Sequence, residues 1–128
     1  MFINVVVLTA NAIAMNLAKV TGTLSYPRFS PALGSEATIY ITLVDVSPRQ
    51  DSSGDIIVRL TIVKPTPSPI YFELKYNPAQ IDRQHTYAIQ ARITERGKVI
   101  FTNNSPYPVI TGGNPHKVDI VLTPKQLP

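Results

Sequence analysis

The 128-residue chain contains no cysteine. Disulfides, thiolate nucleophiles and cysteine-based zinc sites are therefore excluded together. Charge is also scarce, at 16% of residues, and the twelve Lys and Arg are scattered even though the net charge is +4 and the pI near 9.5. A nucleic-acid groove needs basic residues clustered on one face among aromatic platforms, so no nucleic-acid partner is expected. No Gly-x-Ser-x-Gly elbow occurs, and Thr111-Gly112-Gly113 reads as a turn rather than a phosphate cradle. The two histidines, His85 and His116, show no ligand spacing and read as surface imidazoles near loop ends. Asp45, Asp82 and Asp119 sit near strand or loop boundaries, where aspartate commonly satisfies backbone donors, and they make no paired-acid motif. The expectation is a protein without catalytic apparatus, metal or cofactor.

What the chain does have is an apolar fraction of 44% and twelve prolines. That much apolar content folds, and this length fits one domain with one core. Proline at roughly double its usual share disfavours long helices and suits short strands joined by turns.

Met1 to Ala18 differs from everything after it, being largely apolar and without a charged residue. Ala10-Asn11-Ala12 and Ala12-Ile13-Ala14 each match an Ala-x-Ala cleavage pattern, which predicts an export signal and an envelope or periplasmic location, although no basic residue precedes Lys19. Asn4, Asn11 and Asn16 interrupt the run, which argues against a permanent membrane anchor.

From Val20 onward the pattern has period two. Val20 to Tyr26 is a first strand. Thr38 to Val46 alternates strictly, with Ile39, Ile41 and Leu43 on one face and Thr and Tyr partners on the other. In Ile56 to Val63 both faces are partly apolar. Ile70, Phe72, Leu74 and Tyr76 mark a fourth strand with Glu73 and Lys75 facing out, and Pro65, Pro67 and Pro69 ahead of it suit a sheet edge.

Asn77-Pro78 signals a turn, with one helical turn to follow at Ala79 to Asp82. His85 to Glu95 is the longest strand, with Tyr87, Ile89, Ala91 and Ile93 inward. Arg96-Gly97-Lys98 is a hairpin turn into Val99 and Phe101, because glycine supplies the positive φ that tight hairpins require. A short strand at Tyr107 to Ile110, a turn at Thr111 to Pro115 and a last strand at Val118 to Leu122 complete the chain. The spacing predicts a single-domain, all-β, antiparallel sandwich of about seven strands, immunoglobulin-like, with no internal repeat.

Ile81 to Tyr87 has the layout of a tyrosine corner, in which a tyrosine near a strand start bonds back to upstream backbone. That makes Tyr87 structural, and removing its hydroxyl is expected to leave a buried acceptor unpaired. Partner binding is expected at the proline-bounded edge, through Ile70, Tyr71, Phe72 and Glu73, because edge strands offer unpaired backbone groups. Tyr107, between two prolines in Asn103 to Pro108, reads equally as a docking aromatic and as a core residue closing the sandwich.

Several segments in order and spacing resemble the YbaY and YscW family: Val20-Thr-Gly-Thr-Leu-Ser-Tyr26, Thr42-Leu-Val-Asp-Val-Ser47, Pro69-Ile-Tyr-Phe-Glu-Leu-Lys-Tyr76, Ile81 to Arg92, and Tyr107-Pro-Val-Ile-Thr111. The resemblance spans Val20 to Leu122. It implies a compact β-sandwich of the bacterial envelope, usually a lipoprotein. In the pilotin branch it implies a chaperone that binds a secretin subunit, or another outer-membrane subunit, and helps it assemble. The sequence departs from the lipoprotein pattern in having no cysteine to receive a lipid, so membrane association is expected to be indirect. An alternative is a structural or stress-related envelope domain binding glycan, lipid or cell-wall material through Tyr26, Tyr71 and Tyr107.

Overall fold

The structure is a computed structural model that describes residues 16–26, 36–47, 55–63 and 65–125. The segment expected to be an export signal lies outside the described residues up to position 15, as do the loop 27–35 and most of the loop 47–54.

The alternating segments form strands where their period places them: β1 (Ala18–Ser25), β2 (Ala37–Asp45), β3 (Asp55–Val63), β4 (Ile70–Tyr76), β5 (Tyr87–Glu95), β6 (Lys98–Thr102), β7 (Tyr107–Val109), β8 (Lys117–Val121) and β9 (Thr123–Pro124). They assemble as two sheets, β4-β1-β8 and β3-β2-β5-β6-β9, with β7 pairing the other end of β5. Inward rows of both sheets meet in one core. Val20 and Leu24 of β1, Ile39, Ile41 and Leu43 of β2, Ile89 and Ile93 of β5 and Ile120 of β8 are all 0% exposed. Fully burying each such side chain is worth about 1.5–3 kcal/mol. Burial follows the alternation along β1 and β4, but from Ile41 to Asp45 of β2 and from Tyr87 to Ile89 of β5 both faces are buried, Thr42 and Ala88 included.

There are nine strands rather than about seven, two of them the short β7 and β9, and two further features differ from expectation. β1 pairs antiparallel with β4 but parallel with β8, in register Gly22 to Val118. The strand order also departs from the immunoglobulin constant type, which puts its second and third strands in different sheets, whereas β2 and β3 are hydrogen-bonded neighbours here. Period two reports which face of a strand is buried. It does not report which strand lies beside it.

Turn chemistry is local and follows the sequence. Arg96 and Gly97 both have positive φ, 53° and 80°, as a tight two-residue hairpin demands. Asn77 caps a single 3-10 turn (Pro78–Gln80), its Oδ1 accepting from the Ala79 N–H at 2.9 Å.

Candidate partner-binding side of the sandwich

One side of the sandwich is formed by two edge strands, β4 of the smaller sheet and β3 of the larger, which approach one another. Among the described strands each pairs on one edge only, β4 with β1 and β3 with β2.

On β4 the sequence assigned Ile70, Tyr71, Phe72 and Glu73 to a partner. The structure divides that group. Ile70 and Phe72 are 6% and 2% exposed and belong to the core, because alternate residues of a strand point to opposite faces. Their side chains are not available for docking. The outward row is Tyr71, Glu73 and Lys75, with Tyr71 62% exposed. The Tyr71 hydroxyl donates to Glu73 Oε2 at 3.2 Å, and Lys19 Nζ approaches the same oxygen at 3.5 Å. Such an exposed ion pair adds little stability, and it gives this edge a charged, wettable row.

Tyr107 is placed elsewhere. It is half-buried, and its hydroxyl accepts from the Val121 N–H at 3.1 Å, tying β7 of one sheet to β8 of the other. Its ring packs against the core and stays partly exposed. Tyr26 packs against Phe101 with ring centroids 5.5 Å apart.

β3 is different in character. None of its nine residues is buried, and Ile56 and Val63 are 57% and 65% exposed. Val58, Leu60 and Ile62 pair with the fully buried Leu43, Ile41 and Ile39, so they face the core and pack against it without being fully buried. On the opposite face Arg59 lies over the Tyr40 ring, 5.5 Å from its centroid, and Arg92 of β5 lies over the same ring at 4.8 Å. Among the described residues neither guanidinium has a carboxylate partner. The sequence shows the outward parity of Tyr40 and Arg59, but Arg92 joins them only because β2 lies between β3 and β5.

A third polar cluster closes one end of the sandwich. His85 is not an isolated surface imidazole: Nδ1 is 2.7 Å from Asp45 Oδ2 and Nε2 is 3.5 Å from Asp82 Oδ2. Two aspartates that the sequence leaves unrelated are thus brought onto one ring. Asp45 is 4% exposed. Burial alone would raise its carboxyl, but the Ser47 N–H, the Ser47 hydroxyl and the His85 ring outweigh burial and hold it at about 2, below the ordinary 3.8. Thr111 donates its hydroxyl to the His85 carbonyl at 2.6 Å.

Beside this cluster Tyr87, 1% exposed, accepts a hydrogen bond at its hydroxyl from the Asp82 N–H at 2.8 Å. The group that would lose its partner is therefore a donor, not the acceptor expected from the sequence. Among the described residues both ring nitrogens of His85 face carboxylates, and the cluster clamps the β2 end to the loop before β5. Ile110 sits nearby at φ 73°, inside a turn closed by the Thr111 N–H on the Val109 carbonyl at 2.9 Å. A β-branched residue in that region is strained by about 1–3 kcal/mol.

A solved structure of an alternative pilotin from the type II secretion system of Vibrio cholerae superposes with a TM-score of 0.77 at 28% identity, covering 86% of this chain and 98% of that one. An uncharacterized lipoprotein of Escherichia coli (strain K12), YbaY, is 30% identical over 113 residues, 88% of this chain. The chain spans 58% of the length of that curated relative. A family described as the type III secretion system lipoprotein chaperone, YscW, matches residues 15–122. That match takes in every strand except β9, and the chain belongs to the YbaY/YscW family of lipoprotein chaperones.

Proposed function

We propose that this protein is a non-catalytic chaperone of the bacterial envelope, holding a secretin or another outer-membrane subunit against the side of the sandwich made by β3 and β4. The observation that carries the reading is the superposition on nearly the whole of a pilotin chain at 28% identity. The geometry supports it: two sheet edges lie side by side there, and backbone edges are the surface on which an added strand finds hydrogen bonds. On β4 the contact row is Tyr71, Glu73 and Lys75, with Ile70 and Phe72 fixing its backbone from the core side. Placement in the envelope, with Met1 to Ala18 as export segment, belongs to the same reading.

The test is fractionation of cells expressing the gene with its upstream region, then gentle crosslinking and identification of what the tagged protein retains. Recovery from the envelope with a secretin or other outer-membrane subunit is expected. Tyr71→Lys with Glu73→Lys should reduce that retention severalfold while circular dichroism stays unchanged. Full retention by this variant removes β4 from the interface, and a cytoplasmic protein that retains no envelope protein overturns the chaperone reading.

A further inference from the structure

We propose that the β3 edge is a docking site for one extended strand of a partner protein, a strand with apolar residues on its inner row and a carboxylate on its outer row beside Arg59. This deepens the chaperone reading, and rests on it, by naming an edge and the chemistry of what it takes.

Folded proteins guard sheet edges with short strands, prolines, inward-pointing charges or charged outer rows, because a bare edge pairs with other chains. β4 is guarded in this sense by Glu73 and Lys75. β3 is not. It runs nine residues from Asp55 to Val63 without a proline, and Arg59 is the one charge after Asp55. Its inner row, Val58, Leu60 and Ile62, packs against the core without being fully buried. An added strand would cover that row with its own inward side chains and pair the edge backbone, as strand addition does elsewhere.

The outer row says which strand. Arg59 and Arg92 converge on Tyr40 and, among the described residues, have no carboxylate partner. Two cations drawn to one ring are like charges held close together, and a carboxylate nearby relieves that repulsion. A residue added directly opposite Arg59 projects to the same face, within reach of an acidic side chain. A second copy of this chain fits poorly: in fully overlapped antiparallel self-pairing, Arg59 would stand opposite Arg59, an unfavourable like-charge pair.

The experiment uses the full chain and a fluorescent nine-residue peptide in which valine and glutamate alternate. Two control peptides replace glutamate by lysine, or carry N-methyl groups at alternate residues so that one backbone edge cannot pair. The glutamate peptide should bind about tenfold more tightly than the lysine peptide, since an ion pair is exchanged for like charges. Arg59→Glu should invert that order, and N-methylation should abolish binding.

No binding of the glutamate peptide, equal binding of the N-methylated one, or an order that Arg59→Glu leaves unchanged would each overturn the proposal. So would dimerisation of the free chain in sedimentation that Leu60→Lys abolishes. So too would binding to vesicles containing phosphatidylglycerol that needs Arg59 and Arg92, in the absence of peptide binding. If the peptide fails while the envelope partner is still retained through Tyr71 and Glu73, the inference falls and the chaperone reading stands.

Discussion

The hydroxyl of Tyr87 reaches only five residues back, to the Asp82 N–H, and it does so from a ring that is 1% exposed. A contact so local is set by chain geometry, and for that reason Ile81 to Tyr87 could be read from the sequence alone. Tyr87→Phe leaves the ring packed and removes the acceptor. Because the orphaned N–H lies at a part-exposed turn, water can replace some of the bond, and the expected loss is about 1–2 kcal/mol. Urea unfolding should show a lowered midpoint at unchanged slope. An unchanged midpoint would mean the hydroxyl contributes nothing to the corner.

His85 and Asp45 are forty residues apart, and their contact depends on Asp45 lying beside Tyr87 in the β2–β5 register. No local pattern encodes that, so His85 looks unattached in the sequence. The consequence is measurable. Asp45 in the folded protein is held at about 2, below its ordinary 3.8. A group depressed on folding contributes stability that is fully present above the higher value and is lost as pH falls through the lower one. The window therefore runs from about pH 4 down to about pH 2, and a shift of this size corresponds to roughly 2 kcal/mol. Other carboxylates titrate in the same range, so the measurement is a difference between wild type and Asp45→Asn. The wild-type advantage should shrink across this window, and an advantage constant with pH would show that Asp45 does not stabilise through its charge.

At the scale of elements, what the sequence conveys is each strand and its buried face. In β2 and β5 the inward rows, Ile39 to Leu43 and Tyr87 to Ile93, are legible, but the burial of Thr42 and Ala88 on the other face is not, and β5 begins at Tyr87 rather than His85. β9, two residues ending in Pro124, is too short for any period to show. The partner row at β4 is half legible: the prolines and the outward Glu73 mark the edge, but of the four residues expected there Ile70 and Phe72 face the core.

The parallel pairing of β1 with β8 was not legible at all, yet one residue signals it afterwards. Gly22 sits between Phe72 and Val118, and a Cβ built there would collide with the Val118 carbonyl oxygen. The atom it would meet is backbone, on β8, and cannot yield as a flexible side chain can. Gly22→Ala must push β8 away from β1, and a cost of about 1–3 kcal/mol or more is expected from this overpacking. Amide exchange should rise along Lys117 to Val121 more than along Ile70 to Tyr76. Equal protection of both flanks would show that β1 absorbs the methyl by another movement.

Over the whole molecule, neither sheet can keep its inward row dry without the other. The β4-β1-β8 sheet presents Val20, Leu24, Phe72, Leu74 and Ile120 to the larger sheet, and Ile39, Ile41, Leu43, Ile89 and Ile93 answer from the other side. Tyr107 and Val121 add a hydrogen bond across the same gap. If the smaller sheet detached, it would expose both its own row and that of its partner, losing apolar burial twice for one opening. Unfolding should therefore be a single transition in which β-sheet circular dichroism and tyrosine fluorescence coincide. Leu74→Ala in the smaller sheet and Ile89→Ala in the larger should each lower stability by about 2–5 kcal/mol without separating the two signals. Signals that diverge in the Leu74 variant would mean the smaller sheet unfolds on its own, and would leave the larger sheet, with β3 and its arginine pair, as an independently stable platform.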